Sequence, residues 1–207
     1  MNKQQLLDSL KARGFSDDIV EAFSKVKREN FLPEELKKDA YEDTALPIGE
    51  GQTISQPYTI AMMFSLLDLK KSQKVLEIGS GCGYASALMS RIVGSKGKVF
   101  GIERIKELSD KSKKNLKVYA NIKIYNRDGS LGLKEKAPFD RILISAGYKE
   151  IPEPLIMQLK ENGIIVAPVG SEYNQSLIAV RKVKGKIKTI KEIPGFVFVP
   201  LIKGEKK

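Results

Sequence analysis

A glycine-rich stretch, V-L-E-I-G-S-G-C-G-Y at residues 75–84, carries the strongest chemical signal in this sequence. Its first four residues, 75–78, form a short run typical of a buried strand, and the apolar periodicity after the stretch predicts a helix. Between them stand Gly79, Gly81 and Gly83, which let the backbone approach a ligand closely. The strand, turn and helix therefore predict the entry to a nucleotide-type cofactor site.

Two acidic residues accompany these glycines. Glu77 lies two residues before the first glycine, and Glu103 follows the next predicted strand, 20 residues beyond Gly83. A carboxylate at that distance is expected to bind the hydroxyls of a cofactor ribose. For Glu77 the pattern leaves open whether it supports the loop by binding backbone amides or contacts the cofactor. With an acidic residue before its glycines, this loop resembles those of S-adenosylmethionine (AdoMet) methyltransferases more than those of dinucleotide-binding enzymes.

The composition excludes several kinds of chemistry. The 207 residues include no histidine and one cysteine, Cys82, so a histidine base, a Ser-His-Asp triad and a histidine or thiolate metal site are all excluded. A single cysteine cannot form an internal disulfide, which fits the cytoplasm. Since the chain has neither an 18-residue apolar run nor a signal peptide, we expect no membrane insertion and no secretion.

The formal net charge is +11, carried mostly by lysine. The lysines are spread along the chain, and no segment combines a dense basic run with aromatic residues. We therefore expect no nucleic-acid partner and attribute the charge to solubility or to a thermophilic source.

The elements around the glycine loop predict an α/β fold with a doubly wound, mostly parallel sheet. Short helical segments are expected first, at residues 2–13, 17–26 and 34–41, then a turn-rich stretch at 46–57 and a helix at 59–67. Strands at 75–78, 98–102, 122–125, 141–145 and 164–169 then alternate with helices at 85–92, 106–118 and 152–160. The last strands, 176–183 and 187 onward, predict an antiparallel edge whose order stays open. We expect one domain, 1–207, with a helical cap and active-site loop at 1–60 and the AdoMet-binding core at 61–207.

Beyond the glycine loop, the segment L-P-I-G-E-G-Q-T-I-S-Q-P-Y, residues 46–58, resembles the signature of the protein-L-isoaspartate O-methyltransferases. Three further segments are similar to that family: A-P-F-D-R-I at 137–142, E-I-P-E-P-L at 150–155 and V-P-L-I-K-G from Val199. The resemblance is collinear over essentially the whole chain. It implies a Rossmann-like class I methyltransferase that repairs damaged proteins by transferring a methyl group from AdoMet to the α-carboxylate of L-isoaspartyl residues.

The resemblance also implies roles for individual residues. Ser55 matches the active-site serine, and Thr53 and Ile54 would line the substrate site. The expected cofactor-binding residues are Glu77, Gly79, Ser80, Gly81, Glu103, Arg104, Asp128 and Gly129, with Gly79 to Gly81 at the methionine end, Glu103 at the ribose and Asp128-Gly129 at the adenine. The chain departs from the family at two places. After the fourth strand it reads Ser145-Ala146-Gly147-Tyr148, where the family usually has a pair of small residues followed by a proline, and downstream of Asp128-Gly129 either Leu131 or Leu133 replaces an aromatic residue.

The implied reaction suits a chain without histidine. An α-carboxylate with a pKa of about 3.5 is already ionised at pH 7, and the AdoMet sulfonium is an activated leaving group. Transfer then needs alignment, which can supply ~7–11 kcal/mol of the barrier. We expect Ser55 to orient the carboxylate by a hydrogen bond and not to form a covalent intermediate, because it has no base partner.

Two other functions are weighed against this one. A nucleic-acid methyltransferase is disfavoured because the Asn/Asp-Pro-Pro-aromatic motif is missing after the fourth strand. A non-catalytic AdoMet-binding module is disfavoured by the intact segment around Ser55.

Overall fold

The computed structural model describes residues 1–202 and Gly204, so that Lys203 of the V-P-L-I-K-G segment and residues 205–207 lie outside the described residues. The strands are β1 (Leu46–Gly49), β2 (Gln52–Ile54), β3 (Lys74–Ile78), β4 (Lys98–Glu103), β5 (Ile122–Asn126), β6 (Phe139–Ile144), β7 (Leu159–Gly170), β8 (Gln175–Val183) and β9 (Lys186–Phe196). The α-helices are α1 (Lys3–Ala12), α2 (Asp17–Lys25), α3 (Pro57–Leu67), α4 (Tyr84–Val93), α5 (Lys106–Asn115) and α6 (Glu153–Met157). Short 3-10 helices lie at Arg28–Phe31, Glu34–Asp39, Gly129–Leu131 and Lys134–Lys136. Among the described residues, no helix combines the length and apolar character needed to cross a membrane.

Within residues 1–202 and Gly204, the main sheet has seven strands in the order β5-β4-β3-β6-β7-β8-β9. The first five are parallel, and β8 and β9 are antiparallel. This confirms the predicted fold class and settles the order of the last strands. The chain runs from β3 outward to β5 and then returns to β6 on the other side of β3. In such sheets ligands bind where the strand order reverses, at the carboxyl ends of the strands. The site is therefore expected above β3, β4 and β6.

Apolar side chains fill both faces of the sheet, as is typical of buried parallel strands. On one face Val75 of β3 belongs to a cluster that includes Leu88 of α4 and, from the N-terminal helices, Leu6 and Phe23. On the other face Leu76 packs in a second cluster with residues of α6 and β7. The N-terminal helices thus share a core with the sheet, which places their following loops next to the carboxyl ends of its strands.

Three local predictions are corrected by the structure. The helix expected at 152–160 is too long: α6 ends at Met157, and Leu159 begins β7, where it pairs with Phe139. A short apolar run does not distinguish a helix end from a strand start. The turn-rich stretch 46–57 contains the hairpin β1–β2, whose turn residues Glu50 and Gly51 have φ of 56° and 69°. The third helical segment is a 3-10 helix, Glu34–Asp39.

Candidate functional site

The glycine loop turns sharply from β3 into α4. Gly79, Gly81 and Gly83 have φ of 80°, 51° and 91°, a region that other residues rarely adopt. A Cβ atom on Gly83 would also lie 2.7 Å from side-chain atoms of Leu116 and Ser112. The loop conformation therefore depends on these glycines, as the sequence predicts.

Glu103 lies at the end of β4 and is 5% exposed. One carboxylate oxygen accepts a hydrogen bond from the Gly81 N–H and the other from the Ile105 N–H, both at 2.9 Å. Glu103 also lines a cavity of about 90 Å³, together with Gly79, Gly81, Arg104 and Gly129. Since each carboxylate oxygen can accept a second hydrogen bond, this position fits ribose hydroxyls.

Glu77 lies beneath the same loop and is 1% exposed. Its carboxylate accepts hydrogen bonds from the hydroxyls of Ser86 and, at 3.4 Å, Ser145. The alternative that Glu77 binds loop amides is wrong, because the N–H groups of Gly79 and Ser80 donate to the Ile102 carbonyl and that of Gly81 donates to Glu103. Burial raises the pKa of Glu77 to about 7. This carboxyl group is therefore close to half-protonated at neutral pH.

A small cavity of about 50 Å³ beneath the loop has a mixed lining, in which polar groups of the loop lie beside apolar side chains such as Ile60 and Met63. Glu77, Gly79, Ser80 and Gly81 line it. The Ser80 hydroxyl is buried and makes no hydrogen bond within the part of the chain that the structure describes. A buried polar group without a partner is unusual, and a bound ligand would satisfy it. The loop residues therefore fit the polar end of AdoMet.

Cys82 lies within the loop, but its side chain is buried. Burial raises the pKa of its thiol to about 11. A thiol in that state is a poor nucleophile, so Cys82 fills space.

Asp128 follows β5, as expected for an adenine contact, and its carboxylate accepts hydrogen bonds from the backbone N–H groups of Ser130 at 2.8 Å and Gly204 at 2.7 Å. Burial acts to raise its pKa, but these hydrogen bonds hold it below the ordinary value. Arg104 donates from Nε to the Gly204 carbonyl at 3.0 Å. Gly129 lines the 90 Å³ cavity, whereas Asp128 lies beside it and holds the C-terminal segment.

The hairpin β1–β2 places Ser55 beside the cofactor loop. Ser55 follows β2 and lines both the small cavity beneath the loop and an open groove of about 620 Å³. Its hydroxyl makes no hydrogen bond to any described residue, so it is available to a ligand. Thr53 is exposed and lines the groove and both cavities, while Ile54 is 4% exposed and lines the small cavity only.

The far wall of the groove comes from the C-terminal segment, which sequence reasoning did not assign to the site. Val197 of this segment is 68% exposed on the wall, and Tyr173, from the turn between β7 and β8, is 81% exposed beside it. The buried Gln175 side chain accepts from the Phe198 N–H at 2.9 Å and donates to the Phe198 carbonyl at 3.3 Å. The Gln175 side chain thus pairs both the N–H and the carbonyl of Phe198, as the backbone of a neighbouring strand would, and so holds the wall in place.

Ser145, at the end of β6, lines the groove and both cavities and is the second functional candidate that the sequence did not single out. Its only signal was the departure from the family pattern after the fourth strand. The fold therefore brings together Thr53, Ser55, Glu77, the glycine loop and Glu103 around three cavities that share lining residues.

Comparison with known proteins agrees with this geometry. The family model described as protein-L-isoaspartate (D-aspartate) O-methyltransferase matches residues 1–206. A protein-L-isoaspartate O-methyltransferase of Methanothrix thermoacetophila is 48% identical over 98% of this chain and 95% of its own length.

Two solved structures show the same fold. One, a protein-L-isoaspartate O-methyltransferase, has a TM-score of 0.89 and 32% identity over 96% of this chain, which spans 65% of that longer chain. The other is a protein-L-isoaspartate O-methyltransferase of Plasmodium falciparum in complex with S-adenosyl-L-homocysteine, with a TM-score of 0.86 and 30% identity over 98% of this chain and 99% of that one.

These matches support the repair methyltransferases and not the nucleic-acid methyltransferases. The glycine loop, the Ser55 segment, the strand order and a family match over nearly the whole chain converge on one conclusion: the chain belongs to the protein-L-isoaspartate (D-aspartate) O-methyltransferase family, whose cofactor is AdoMet.

Proposed function

We propose that this protein transfers a methyl group from AdoMet to the free α-carboxylate of L-isoaspartyl residues in damaged proteins, which begins their return through a succinimide to normal aspartyl residues. The position of Ser55 carries the proposal. Its unpaired hydroxyl lies where the open groove meets the cavity beneath the cofactor loop. A peptide carboxylate in the groove would therefore reach the cofactor next to a hydrogen-bond donor.

The cofactor would be held by residues from three strand ends. Gly79, Ser80 and Gly81 would hold the methionine end over Glu77, Glu103 would bind the ribose, and Arg104, Asp128 and Gly129 would lie on the adenine side. When bound, AdoMet supplies a methyl group on a positively charged sulfur. Support comes from the orphaned Ser80 hydroxyl and from the buried Glu103 carboxylate, which faces the cavity.

Ser55 would donate its hydrogen bond to one oxygen of the isoaspartyl carboxylate and leave the other free to attack. Thr53 faces the groove and Ile54 faces the core. Together they would fix β2, the strand that leads to Ser55. Because the carboxylate is ionised at neutral pH, no residue has to remove a proton. Proximity and alignment would supply the acceleration.

We further propose that the protein works in the cytoplasm on isoaspartyl-containing peptides and proteins, and that nucleic acids are not its partners. The buried, unpaired Cys82 supports the location, since a reducing compartment keeps such thiols free.

A peptide pair tests the proposal. The protein is incubated with labelled AdoMet and with an isoaspartyl peptide, its aspartyl twin or an RNA of mixed sequence. The two peptides differ by one methylene between backbone and carboxylate, so the groove must place the backbone to tell them apart. We expect label in the isoaspartyl peptide alone. Equal labelling of both peptides would overturn the repair function, and label in RNA would overturn the choice of partner.

A further inference from the structure

Arg28 is a fully buried cation at the base of the Ser55 hairpin. It begins the 3-10 helix Arg28–Phe31 and has no exposed surface. Its two terminal nitrogens donate to four backbone carbonyls at 3.0 to 3.1 Å, those of Ala40, Glu42, Thr44 and Ser55. A planar guanidinium can hold several acceptors in a fixed arrangement. Arg28 therefore fixes the backbone of the loops around it.

One nitrogen of Arg28 closes the hairpin. Nη2 donates to the Thr44 carbonyl, just before β1, and to the Ser55 carbonyl, just after β2. The two chain segments that enter and leave the hairpin are thus held at one donor atom. The backbone of Ser55 cannot shift without breaking this hydrogen bond.

The other side of Arg28 faces the cofactor loop. The guanidinium carbon lies 6.0 Å from the ring centroid of Tyr84, the first residue of α4, which directly follows Gly83. Tyr84 is 2% exposed, and the Phe31 ring packs edge-on against it at 5.3 Å between centroids. Arg28 therefore contacts both the segment that carries Ser55 and the end of the glycine loop.

The cation is costly at this position. Among the described residues, no carboxylate forms an ion pair with Arg28, and its Nε has no hydrogen-bond partner. Burial lowers the pKa of Arg28 from its ordinary value. If the residue at this position only had to fill space, an apolar side chain of similar size would stabilise the fold at least as well as Arg28. A charged donor is required where four carbonyls must be held at once.

We infer that Arg28 is a positioning residue for methyl transfer, which holds the Ser55 backbone at a set distance from the cofactor loop. The inference rests on the proposed role of Ser55. A displacement of about 1 Å between reacting groups costs up to about 100-fold in rate. Loosening this clamp therefore slows turnover more than it weakens cofactor binding, because the glycine loop keeps its own hydrogen bonds to the Ile102 carbonyl and Glu103.

Arg28→Lys is the first test, since an ammonium keeps the charge but cannot span four carbonyls in one plane. At a temperature where circular dichroism shows a folded protein, kcat for an isoaspartyl peptide should fall by about 10- to 100-fold. Affinity for S-adenosylhomocysteine should stay within about 3-fold, or roughly 0.6 kcal/mol at RT of about 0.59 kcal/mol. Wild-type kcat together with a lowered melting temperature would overturn the inference.

Arg141→Lys is the matched control. Arg141 is also largely buried and donates from Nε to the Leu67 carbonyl at 2.6 Å, and from Nη2 to the Asp68 carbonyl at 3.1 Å, but it does not contact Ser55. This variant should melt at a lower temperature and keep kcat. If both variants lost kcat equally, the loss would come from disturbing the fold at a buried arginine and not from the contact with Ser55. That result would overturn the inference.

A backbone ester between Ser55 and Gln56 decides the question if Arg28→Lys does not fold. The ester weakens the Ser55 carbonyl as an acceptor and leaves Arg28 in place, and the Gln56 N–H that it removes donates no hydrogen bond among the described residues. We expect kcat to fall by about 3- to 10-fold, part of the worth of one charged hydrogen bond. An ester variant with wild-type kcat would overturn the inference. A wild-type protein that does not methylate isoaspartyl peptides would instead refute the proposed function.

Discussion

The Gly81 N–H donates a hydrogen bond of 2.9 Å to the carboxylate of Glu103, so one side chain joins the glycine loop after β3 to the end of β4. The other carboxylate oxygen holds the Ile105 N–H at the start of α5. Glu103 is thus both part of the loop's support and part of the cavity lining. Its removal changes the shape of the site as well as the contact with a ligand.

Glu103→Ala should weaken AdoMet binding by about 1.5–3 kcal/mol, or about 10- to 150-fold in Kd, because charged hydrogen bonds are lost and the Gly81 N–H is left unpaired. Glu103→Gln, which keeps one acceptor oxygen, should lose less. Calorimetric titration measures both. The matched control is Glu107→Ala, an exposed acid on the first turn of α5, which should bind normally. Unchanged affinity in Glu103→Ala would remove Glu103 from the cofactor site.

Ser55→Ala should lower the turnover of an isoaspartyl peptide by about 10- to 150-fold, the worth of one charge-assisted hydrogen bond, and leave AdoMet binding nearly intact. Ser55→Thr should keep part of the activity, because the donor survives while the added methyl group crowds the groove. Single-turnover kinetics give the comparison, with the exposed Ser95→Ala as control. A methylated Ser55 found by mass spectrometry would contradict an orienting role.

The affinity for AdoMet should rise with pH. Burial raises the pKa of Glu77 to about 7, and a cationic ligand beside it favours the carboxylate. Binding should therefore release a proton, and affinity should increase between about pH 6 and 8 and then level off. S-adenosylhomocysteine lacks the sulfonium charge and should depend less on pH. Calorimetry in buffers of different ionisation enthalpy measures the number of protons released on binding. The Glu77→Gln variant should release none.

Turnover at saturating AdoMet and peptide should, in contrast, show no required ionisation between about pH 6 and 8, because the attacking carboxylate is already ionised. A steep step near pH 6.5 under these conditions would contradict the mechanism. The pH dependence should thus reside in cofactor binding and not in the chemical step.

Stability should also respond to Glu77. Its pKa is about 7 in the folded protein, against an ordinary value of 4.5. The folded state therefore binds more protons between these values, and the free energy of unfolding should fall as pH rises from about 4.5 to about 7, by roughly 3 kcal/mol. Urea unfolding at pH 5 and pH 8 measures the difference. Glu77→Gln should flatten it, and an equal slope in the variant would assign the effect to other groups.

The sheet and the glycine loop could be predicted because their signals are local. Apolar runs alternate with helical periodicity from Lys74 onward, and Gly79, Gly81 and Gly83 need backbone angles that other residues avoid. The roles of Glu77 and Glu103 could not be separated in this way. Which carboxylate binds the Gly81 N–H depends on how β4 lies beside β3, and that register is a property of the whole sheet.

Arg28 illustrates what stays hidden in a sequence. It lies in a lysine-rich stretch where an exposed basic residue is the ordinary expectation, and the fold buries it completely. Its four partners are main-chain carbonyls between residues 40 and 55, which carry no residue-type signal. The groove wall at Val197 and Phe198 was missed for a related reason, since it depends on a long-range contact with Gln175.

Gln175 binds the backbone of Phe198 at the open end of the hairpin formed by β8 and β9. The width of the peptide groove therefore does not depend on how long that hairpin is. The tip of that hairpin, Lys184-Gly185, lies roughly 30 Å from Gln175 at about 3.3 Å per strand residue. Insertions at the tip should consequently leave the entrance for damaged chains unchanged, and a tag or a second domain could be grafted there. The same insertion between β9 and Phe198 would misalign the groove wall. The hairpin therefore tolerates a change of length at its tip but not where β9 leads to Phe198.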